Sequence, residues 1–356
     1  MSDRFEHVYF QDCDLNDCFF DSLKTDYVEF EDWFTRKSNE KEKVYIYKDI
    51  NGVCAFMYLK EEDEELGLQD EILHKEKRIK IGTLKLDERI KGKRLGEGAL
   101  GLALWKWQET AYNQIYVTVF EHHATLIGLL ENFGFAFRGK NTRGECVYIK
   151  DRRTLSYDDP YKAFPFLIPN FNKGGYIPID DYYHDTLFPY SQLANVHQHT
   201  NEISAANGIS KTYIGFPSSS LHIQPNEPVF IYRKYTEGPG KGFRSVISSY
   251  CTVHRIIQVK SNHYRYMDED EFVKIAHNKT VFEEVELRKM YHEKRTIVMI
   301  DIVYNGYFGA GNNVNFNWLK DNGCFNAYPY NVQLDKSQVI KILQKGGKDV
   351  QNVIIN

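Results

Sequence analysis

The sequence predicts an α+β or α/β protein with two domains. Its 356 residues are enough for two ordinary domains. Strand-like alternation and helix-like periodicity follow one another as far as residue 151, whereas strand-like runs dominate after residue 193. The stretch between them is rich in Pro, Gly and aromatic residues. We therefore expect a first domain over 1–151, a connector over 152–192 and a second domain over 193–356.

The composition narrows the class of protein. The net charge is −4, so any nucleic-acid surface must be a local patch rather than a property of the whole chain. Six scattered cysteines form no CxxC pair, which indicates neither a disulfide framework nor a zinc site, and we predict no metal. No apolar run is long enough to span a bilayer, and the first residues lack a signal-peptide core. We expect a cytoplasmic protein with reduced thiols and no membrane association, and its oligomeric state stays open.

The first domain is predicted to begin with a short strand over 5–10, and a helix and a hairpin follow it. Apolar residues at three- and four-residue steps predict one helix over 16–37, with its aromatic side chains in the core. Strands over 43–47 and 53–60 form a hairpin, because the turn over 49–52 contains Asn-Gly, which favours positive φ. The acidic run 61–65 follows. We expect a solvated loop there, and the alternative is a rim that attracts a cationic amine.

A strand, a basic glycine-bearing turn and a helix come next, over 79–86, 91–98 and 99–107. Glycine allows a tight turn and a close approach to the backbone. The first amides of a helix have no partner within it and carry the positive end of the helix dipole, so they can hold a phosphate. The alternative is an ordinary turn, because one glycine loop is a weak signal.

The turn resembles the acyl-CoA loop of the GNAT superfamily of N-acetyltransferases. That loop has Gln or Arg, two variable residues, Gly, one variable residue, and then Gly or Ala. Lys91, Arg94 and Gly96 stand on these positions in one register. A register that begins at Lys93 instead places Gly96 and Gly98 on both glycine positions. The resemblance implies a mixed sheet flanked by helices, with acetyl-CoA as the cosubstrate. The implied cofactor-binding residues are Leu84, Leu86, Lys91, Gly92, Lys93, Arg94, Leu95, Gly96, Glu97 and Gly98.

A second GNAT signature lies downstream, in the expected order. The family has Asn-x-x-Ala-x-x-Leu-Tyr-x-x-x-Gly-Phe, and here Leu129 and the Gly-Phe pair at 134–135 match. His123 stands on the Asn position and Leu130 on the Tyr position. In the family that Tyr often protonates the leaving thiolate, so the proton donor is unassigned. We select Glu121 and His123 as candidate catalytic residues that would take the proton of the amine.

The second half of the chain changes in character. Pro and Gly punctuate 152–192, and we expect them to exclude a long helix and a central strand. A weak helix is predicted over 193–208, and strands dominate after it. The predicted strands are 211–216, 228–233, 244–260 and 296–304, and the predicted helices are 268–276, 281–290 and 337–343, the last with Asp335 as its cap.

This order of elements resembles the PUA-like superfamily, which includes the ASCH and EVE domains. The resemblance rests on the strand over 211–216, the turn over 224–228 and the late helix. It implies a small β-barrel with short helices that binds RNA or modified bases. The candidate nucleic-acid-binding residues combine cations for phosphates with a ring for stacking, and they are Lys211, Tyr232, Arg233, Lys234 and Arg244.

Together these features predict an acetyl-CoA-dependent N-acetyltransferase whose second domain recognises RNA or the substrate, with a tRNA-related amine among the acceptors. One alternative is a protein or small-molecule N-acetyltransferase whose second domain binds a partner. Another is a non-catalytic module that binds acyl-CoA and RNA, since the Tyr hydroxyl is missing at Leu130.

Overall fold

The structure is a computed structural model that describes residues 5–191, 204–217, 221–262 and 264–355. The chain divides into two compact units. The first takes in 1–103, 112–131 and 135–153, and the second takes in 104–111, 132–134 and 154–356. Each unit is built on a sheet of seven strands with helices around it, which confirms the predicted mixed α and β class. The predicted division into 1–151, 152–192 and 193–356 stays a prediction.

The first unit holds a mixed sheet. Its strands are β1 (Glu6–Tyr9), β2 (Lys43–Asp49), β3 (Gly52–Gly67), β4 (Ile72–Leu86), β5 (Gln114–Val119), β6 (Ala136–Lys140) and β7 (Cys146–Asp151). They lie in the order β1-β2-β3-β4-β5-β7-β6. Neighbours are antiparallel except β4 and β5, which run parallel. A parallel pair needs a long crossover connection, and a helix between the two strands supplies it.

Four α-helices accompany this sheet along the chain. They are α1 (Asp21–Asp26), α2 (Phe30–Asn39), α3 (Leu95–Gln108) and α4 (Ala124–Asn132). The predicted single helix over 16–37 is wrong, because a 3-10 turn and an extended residue at Tyr27 divide it. Asp17 caps that turn and also accepts a hydrogen bond from Val53 N at 3.0 Å, so the chain here is held to the hairpin instead. The aromatic side chains of the segment are buried in the core, as predicted.

The acidic run 61–65 lies within β3 rather than in a solvated loop, and the loop prediction is wrong. Strand β4 pairs with β3 along this stretch and brings basic side chains to it. The Nζ atoms of Lys60 and Lys80 lie 2.9 and 3.6 Å from Glu62 Oε1. Lys75 Nζ lies 3.9 Å from Asp63 Oδ2. Opposite charges across neighbouring strands stabilise a sheet, so the pairs of Lys80 with Glu62 and of Lys75 with Asp63 stabilise this long hairpin.

The second unit holds another mixed sheet. Its strands are β8 (Lys173–Asp180), β9 (Ser210–Gly215), β10 (Pro228–Lys234), β11 (Val246–Lys260), β12 (Ile297–Tyr307), β13 (Val314–Asn315) and β14 (Leu334–Asp335). The order is β14-β8-β10-β11-β12-β9, and β13 pairs with β11. Only β8 and β10 are parallel among the pairs in the described ranges. The two end strands do not pair with each other in those ranges, so the predicted closed barrel is not observed.

Strand β8 corrects the expectation that Pro and Gly exclude a central strand from 152–192. It has β10 on one side and β14 on the other. Strand β14 pairs only with Lys173 and Gly174, so Pro178 lies where that side of β8 has no β14 partner. Proline is tolerated at such an edge because its missing N–H is not needed there. A Cβ on Gly175 would lie 2.7 Å from Ile223 Cγ2, so close packing requires this glycine.

The second unit also carries eight α-helices in the described residues. They are α5 (Pro160–Ala163), α6 (Asp181–Leu187), α7 (Ser204–Asn207), α8 (Lys241–Arg244), α9 (Glu269–Ala276), α10 (Glu284–His292), α11 (Phe316–Asp321) and α12 (Lys336–Lys345). Asp335 caps α12 through Gln338 N, as predicted. Residues 193–203 of the predicted weak helix lie outside the described residues. Across the described ranges, no helix combines the length and apolar character needed to cross a bilayer.

Candidate active site

Strands β4 and β5 pair over only four residues each. Their register ends at Ile81 and Val117, although β4 continues to Leu86. The pairing of β3 with β4 shifts at Gly82, which is left as an extra residue. A bulge of this kind bends a strand and re-aims it. As a result, the edge of 82–86 that would face β5 has no strand partner among the described residues, and an extended ligand chain can use it.

The chain after β4 turns sharply into α3. Asp87 closes a 3-10 turn by accepting a hydrogen bond from Arg89 N at 3.0 Å. Gly92 and Arg94 then adopt positive φ, at 84° and 58°. The left-handed conformation at Arg94 is one that glycine adopts at no steric cost and other residues seldom adopt. This favours the register that places Arg94 on the first glycine position of the loop motif.

The start of α3 presents backbone amides to this turn. The first backbone bond of the helix runs from Gly98 N to Arg94 O at 3.1 Å. The amides of Leu95 and Gly96 therefore precede the hydrogen-bond ladder at the start of the helix. With the helix dipole behind them, they form the type of site that holds a phosphate.

The basic side chains of the turn differ in their availability. Lys91 is exposed and Lys93 is half-buried. The Arg94 guanidinium instead pairs with Glu97, with Nη2 at 2.7 Å from Oε2. The charge of Arg94 is thus largely used within the first turn of α3, where the pair fixes the loop conformation. Lys91 is left as the side chain best placed to meet a solvent-facing anion.

Gly96 brings the two predicted signatures together. A Cβ at this position would lie 3.0 Å from Leu86 Cδ1 and 3.6 Å from Leu129 Cδ2. The loop helix, the end of β4 and the signature helix α4 therefore meet at Gly96. Leu130 of the second signature is fully buried, so the position of the missing Tyr is filled by hydrocarbon.

The two candidate bases differ in electrostatics. The hydrogen bond from Lys140 and, to a smaller extent, the charge of its ammonium lower the pKa of the exposed Glu121. Lys140 Nζ lies 2.8 Å from Glu121 Oε1. Partial burial and the adjacent His122 lower the pKa of His123, while Asp26 opposes the shift. A lowered pKa leaves the His123 imidazole neutral near pH 7, so it can accept a proton. Glu121 is a weaker base because Lys140 stabilises its charged form.

Acidic side chains from two distant parts of the chain lie around Tyr27, and one of them, Asp26, also acts on His123; the sequence did not indicate this cluster. Burial, then Glu145, then Asp26 raise the pKa of Tyr27, which shows that both carboxylates lie close to that ring. Glu29 forms an ion pair with Arg143 at 3.4 Å and so ties these two parts together. More than 110 residues separate them, so spacing along the chain carried no signal of the cluster.

The structure contradicts three of the five predicted nucleic-acid residues. Lys211 is 1% exposed and donates to Ala205 O at 2.8 Å. Arg233 is 6% exposed, and its Nε and Nη2 donate to the Asp185 carboxylate at 2.7 and 2.8 Å. Tyr232 is 6% exposed and packs in the core. These three side chains point into the unit from strands β9 and β10, so phosphates and bases cannot reach them.

The other two predicted residues lie nearer the surface. Lys234 is half-buried and pairs with Asp180 at 2.7 Å. Arg244 is exposed and lies over the Tyr235 ring, with its guanidinium carbon 4.8 Å from the ring centroid. Both are therefore accessible, but each already has a partner.

Comparison with known proteins gives one relative by sequence. No family model matches the chain. Over 110 residues the chain is 29% identical to spermine/spermidine N(1)-acetyltransferase from Bacillus subtilis (strain 168), and the match covers 30% of this chain and 67% of that protein. This relative supports the predicted acyl-CoA N-acyltransferase fold and N-acetyltransferase as the class of enzyme.

Two solved structures illustrate weaker likenesses. A mutant of ZmASCH from Zymomonas mobilis has 12% identity, covering 49% of this chain and 96% of that one, with a TM-score of 0.31. The PaiA N-acetyltransferase from Thermoplasma acidophilum in complex with coenzyme A has 15% identity, covering 42% and 99%, with a TM-score of 0.30. At TM-scores this low we base no inference on either.

Proposed function

We propose that this chain is an acetyl-CoA-dependent N-acetyltransferase whose donor lies along β4 and ends at the start of α3. The observation that carries the proposal is the unpaired edge of 82–86, which leads through the turn at 91–94 to the amides of α3. The edge would bond the pantetheine main chain, and the amides would bind the pyrophosphate. Lys91 would add charge at the rim, and Gly96 keeps the approach open.

The acyl transfer follows from these positions. The amine nitrogen attacks the thioester carbonyl carbon, the carbon–sulfur bond breaks, and coenzyme A leaves as a thiolate. A backbone amide near Leu86 would stabilise the charge that develops on the carbonyl oxygen. The neutral His123 imidazole would take the amine proton. Since Leu130 offers no hydroxyl, the thiolate would be protonated from solvent.

For the acceptor we propose a small aliphatic amine. The carboxylates of Asp26 and Glu145 near Tyr27 attract a cation, and Asp26 lies close enough to His123 to affect its pKa. The sequence relative is named for the polyamines spermine and spermidine, which are such cations. Spermidine is therefore the first acceptor to test.

The donor site is tested by thermal unfolding with acetyl-CoA. At about 100 times Kd, acetyl-CoA should raise the Tm by roughly 5 °C or more. Gly96→Leu should abolish the rise, because its Cβ would press on Leu86. Gly128→Leu is the matched control, since a Cβ on this helical glycine meets no atom within 4 Å. Absence of a rise in the wild type would overturn the proposal.

The acceptor is tested by release of coenzyme A. Spermidine should support release above background, and Asp26→Asn combined with Glu145→Gln should raise KM more than it lowers kcat. Release with a peptide library or with bulk tRNA, and none with spermidine, would replace the amine by a protein or RNA acceptor. A rise in Tm without any release would point to the non-catalytic acyl-CoA module.

We retain recognition of RNA by the second unit as a separate proposal. Its support is the exposed pair Tyr264 and Tyr266, whose ring centroids are 4.8 Å apart, together with the accessible Arg244. Exposed rings and cations suit single-stranded RNA. Binding should weaken with rising salt and fall in Tyr264→Ala. The proposal fails if no salt-dependent binding is measured at low ionic strength.

A further inference from the structure

The second unit contains an aromatic pocket that the proposed acyl transfer does not use. Its volume is about 260 Å³, which suits a small organic group rather than a whole cofactor. The residues that carry the inference are Asp180, Tyr183, Tyr213, Lys234, Phe282 and Tyr330. They come from β8, α6, β9, β10 and two later loops, so the pocket exists only in the folded unit.

Aromatic rings form two walls of this pocket. The rings of Tyr183 and Phe282 have centroids 5.2 Å apart, and those of Tyr328 and Tyr330 lie 5.8 Å apart. Tyr183 and Tyr328 are 37% and 59% exposed, so the mouth of the pocket opens to solvent. The face of an aromatic ring carries negative potential, which attracts organic cations.

The hydroxyls of Tyr213 and Tyr330 determine which hydrogen bonds a ligand can form in this pocket. The Tyr213 hydroxyl donates its one proton to Pro178 O at 3.0 Å. It also contacts the Tyr330 hydroxyl, and Tyr330 must be the donor in that bond because Tyr213 has no second proton. Burial and, to a smaller extent, the neighbouring Tyr330 raise the pKa of Tyr213, so its hydroxyl keeps its proton at neutral pH. Both hydroxyls can therefore only accept a further hydrogen bond.

Thr212 and Asp180, two further polar residues of the lining, likewise offer no proton to a ligand. Thr212 Oγ1 donates to Asp301 Oδ1 at 2.6 Å, and Asp301 Oδ2 accepts a second hydrogen bond from Arg255 Nε at 2.5 Å. The Thr212 proton is thus already used. The Asp180 carboxylate is an acceptor by nature. A ligand that brings several N–H donors and a positive charge meets every one of these groups.

Lys234 already places an ammonium at this spot. Its Nζ lies 2.7 Å from Asp180 Oδ1, with the two side chains 42% and 46% exposed. An ion pair so exposed contributes little to stability, so a ligand can displace it at small cost. The Lys234 ammonium thus occupies the position beside Asp180 that the ammonium group of a ligand would take.

We propose that this pocket binds a primary alkylammonium group, with its N–H donors on Asp180 and the Tyr330 hydroxyl and its alkyl chain between the aromatic walls. The inference goes beyond the proposed acyl transfer and does not depend on it. A neutral nucleobase is the contrasting occupant, since it could stack on the same rings. It would bring no positive charge to the Asp180 carboxylate.

The test is calorimetric titration of the full chain with butylammonium, without acetyl-CoA. Asp180→Asn should weaken binding about tenfold, and Tyr183→Ala should weaken it by a similar factor. The Asp180 side chain makes no capping bond at the start of α6, so the Asn variant should fold normally. Lys234→Met should strengthen binding about threefold, since it removes the competing ammonium.

Two controls make the result decisive. Glu71→Gln alters an exposed acidic group of the first unit outside the proposed acceptor site and should leave butylammonium binding by the second unit unchanged. Tetramethylammonium has charge but no N–H donor and should bind more weakly than butylammonium. The proposal is overturned if Asp180→Asn binds like the wild type, or if adenosine binds tightly and Lys234→Met weakens it. It is also overturned if only Glu71→Gln abolishes binding.

Discussion

The basic residues of the two units behave in opposite ways. Lys91 in the turn of the first unit is exposed, whereas Lys211 and Arg233 on strands of the second unit are almost completely buried. All three were predicted to meet phosphates. In the proposed donor site the turn would bind an anion through backbone amides, and the Lys91 side chain remains exposed to water. The strands turn their cations inward, where carbonyl and carboxylate oxygens satisfy them.

This difference shows what each charge contributes. A buried cation must be paired, because an unpaired charge in the interior costs several kcal/mol. An exposed cation contributes little to folding and acts through attraction of its ligand. Removal of a charge should therefore cost stability in the second unit and affinity in the first.

The largest effect is expected at Arg233. Arg233→Met leaves the Asp185 carboxylate buried and without its main partner, so the free energy of unfolding should fall by about 3–5 kcal/mol. Lys91→Met should change it by less than about 0.5 kcal/mol. Urea denaturation measures both. Equal effects of the two substitutions would remove the distinction between the units.

The two units also differ in the burial of their histidines. His184 is fully buried, and burial lowers its pKa, while the exposed His123 has a pKa lowered by partial burial and by His122. Only His123 is accessible to substrate. His123→Gln should reduce kcat/KM for spermidine by about 10²-fold. The wild-type kcat/KM should fall only at a pH below 6.5, the ordinary pKa of histidine. The pKa of His123 lies below that value, so the imidazole stays deprotonated above it.

The pH profile of the variant provides the check on His123. In His123→Gln the acidic limb of log kcat/KM should disappear. If the limb persists in the variant, another group takes the proton. His184→Gln should instead leave the position of the limb unchanged.

Acid should weaken the buried network of the second unit by a smaller amount. Burial raises the pKa of Asp185, but hydrogen bonds from Arg233 and His184 outweigh it and bring the pKa to about 2. Because the folded pKa lies below the ordinary value of 3.8, this stabilisation is present above about pH 4 and is lost as the pH falls towards 2. The shift corresponds to about 2 kcal/mol.

Denaturation of wild type and Asp185→Asn at a series of pH values measures this contribution. The difference between the two proteins should be largest at neutral pH and should shrink between about pH 5 and pH 2, where the wild-type carboxyl becomes protonated. A difference independent of pH would mean that the carboxylate charge does not stabilise the fold.

The smallest effect is expected at the exposed lysine of the loop. Lys91→Met should weaken acetyl-CoA binding about two- to fivefold at low salt, and the loss should vanish near 1 M salt because exposed charges are screened. Calorimetric titration at two ionic strengths tests this. Lys75→Met, an exposed lysine at the far end of β4, is the control and should not change the affinity.

Short-range features of the fold were predictable from the sequence. The hairpin of β2 and β3, the strand, turn and helix around Gly96 and the cap of α12 all depend on neighbours a few residues apart. The positive φ of Gly52 and the capping bonds of Asp335 are local properties of their residue types. The two GNAT signatures were equally local, and Gly96 joins them in space.

Features that depend on distant partners were not predictable in this way. The run 61–65 is a strand because β4 lies beside it, and β8 is a central strand because β10 pairs with it about fifty residues later. Lys211 and Arg233 show the same limit, since their charge suggests the surface while their neighbours place them in the core.

The sequence by itself predicted a donor motif and determined the mixed class of the fold and the absence of a hydroxyl at Leu130, because these features depend on single residues and short spacings. Tertiary structure alone decided which cations face water, where β4 leaves β5, and how Asp180, Tyr213 and Lys234 meet around one pocket. The physical reason is that burial and hydrogen-bond satisfaction belong to pairs of distant segments. Neither the residue type nor the local hydrophobic periodicity shows which distant segments will pair.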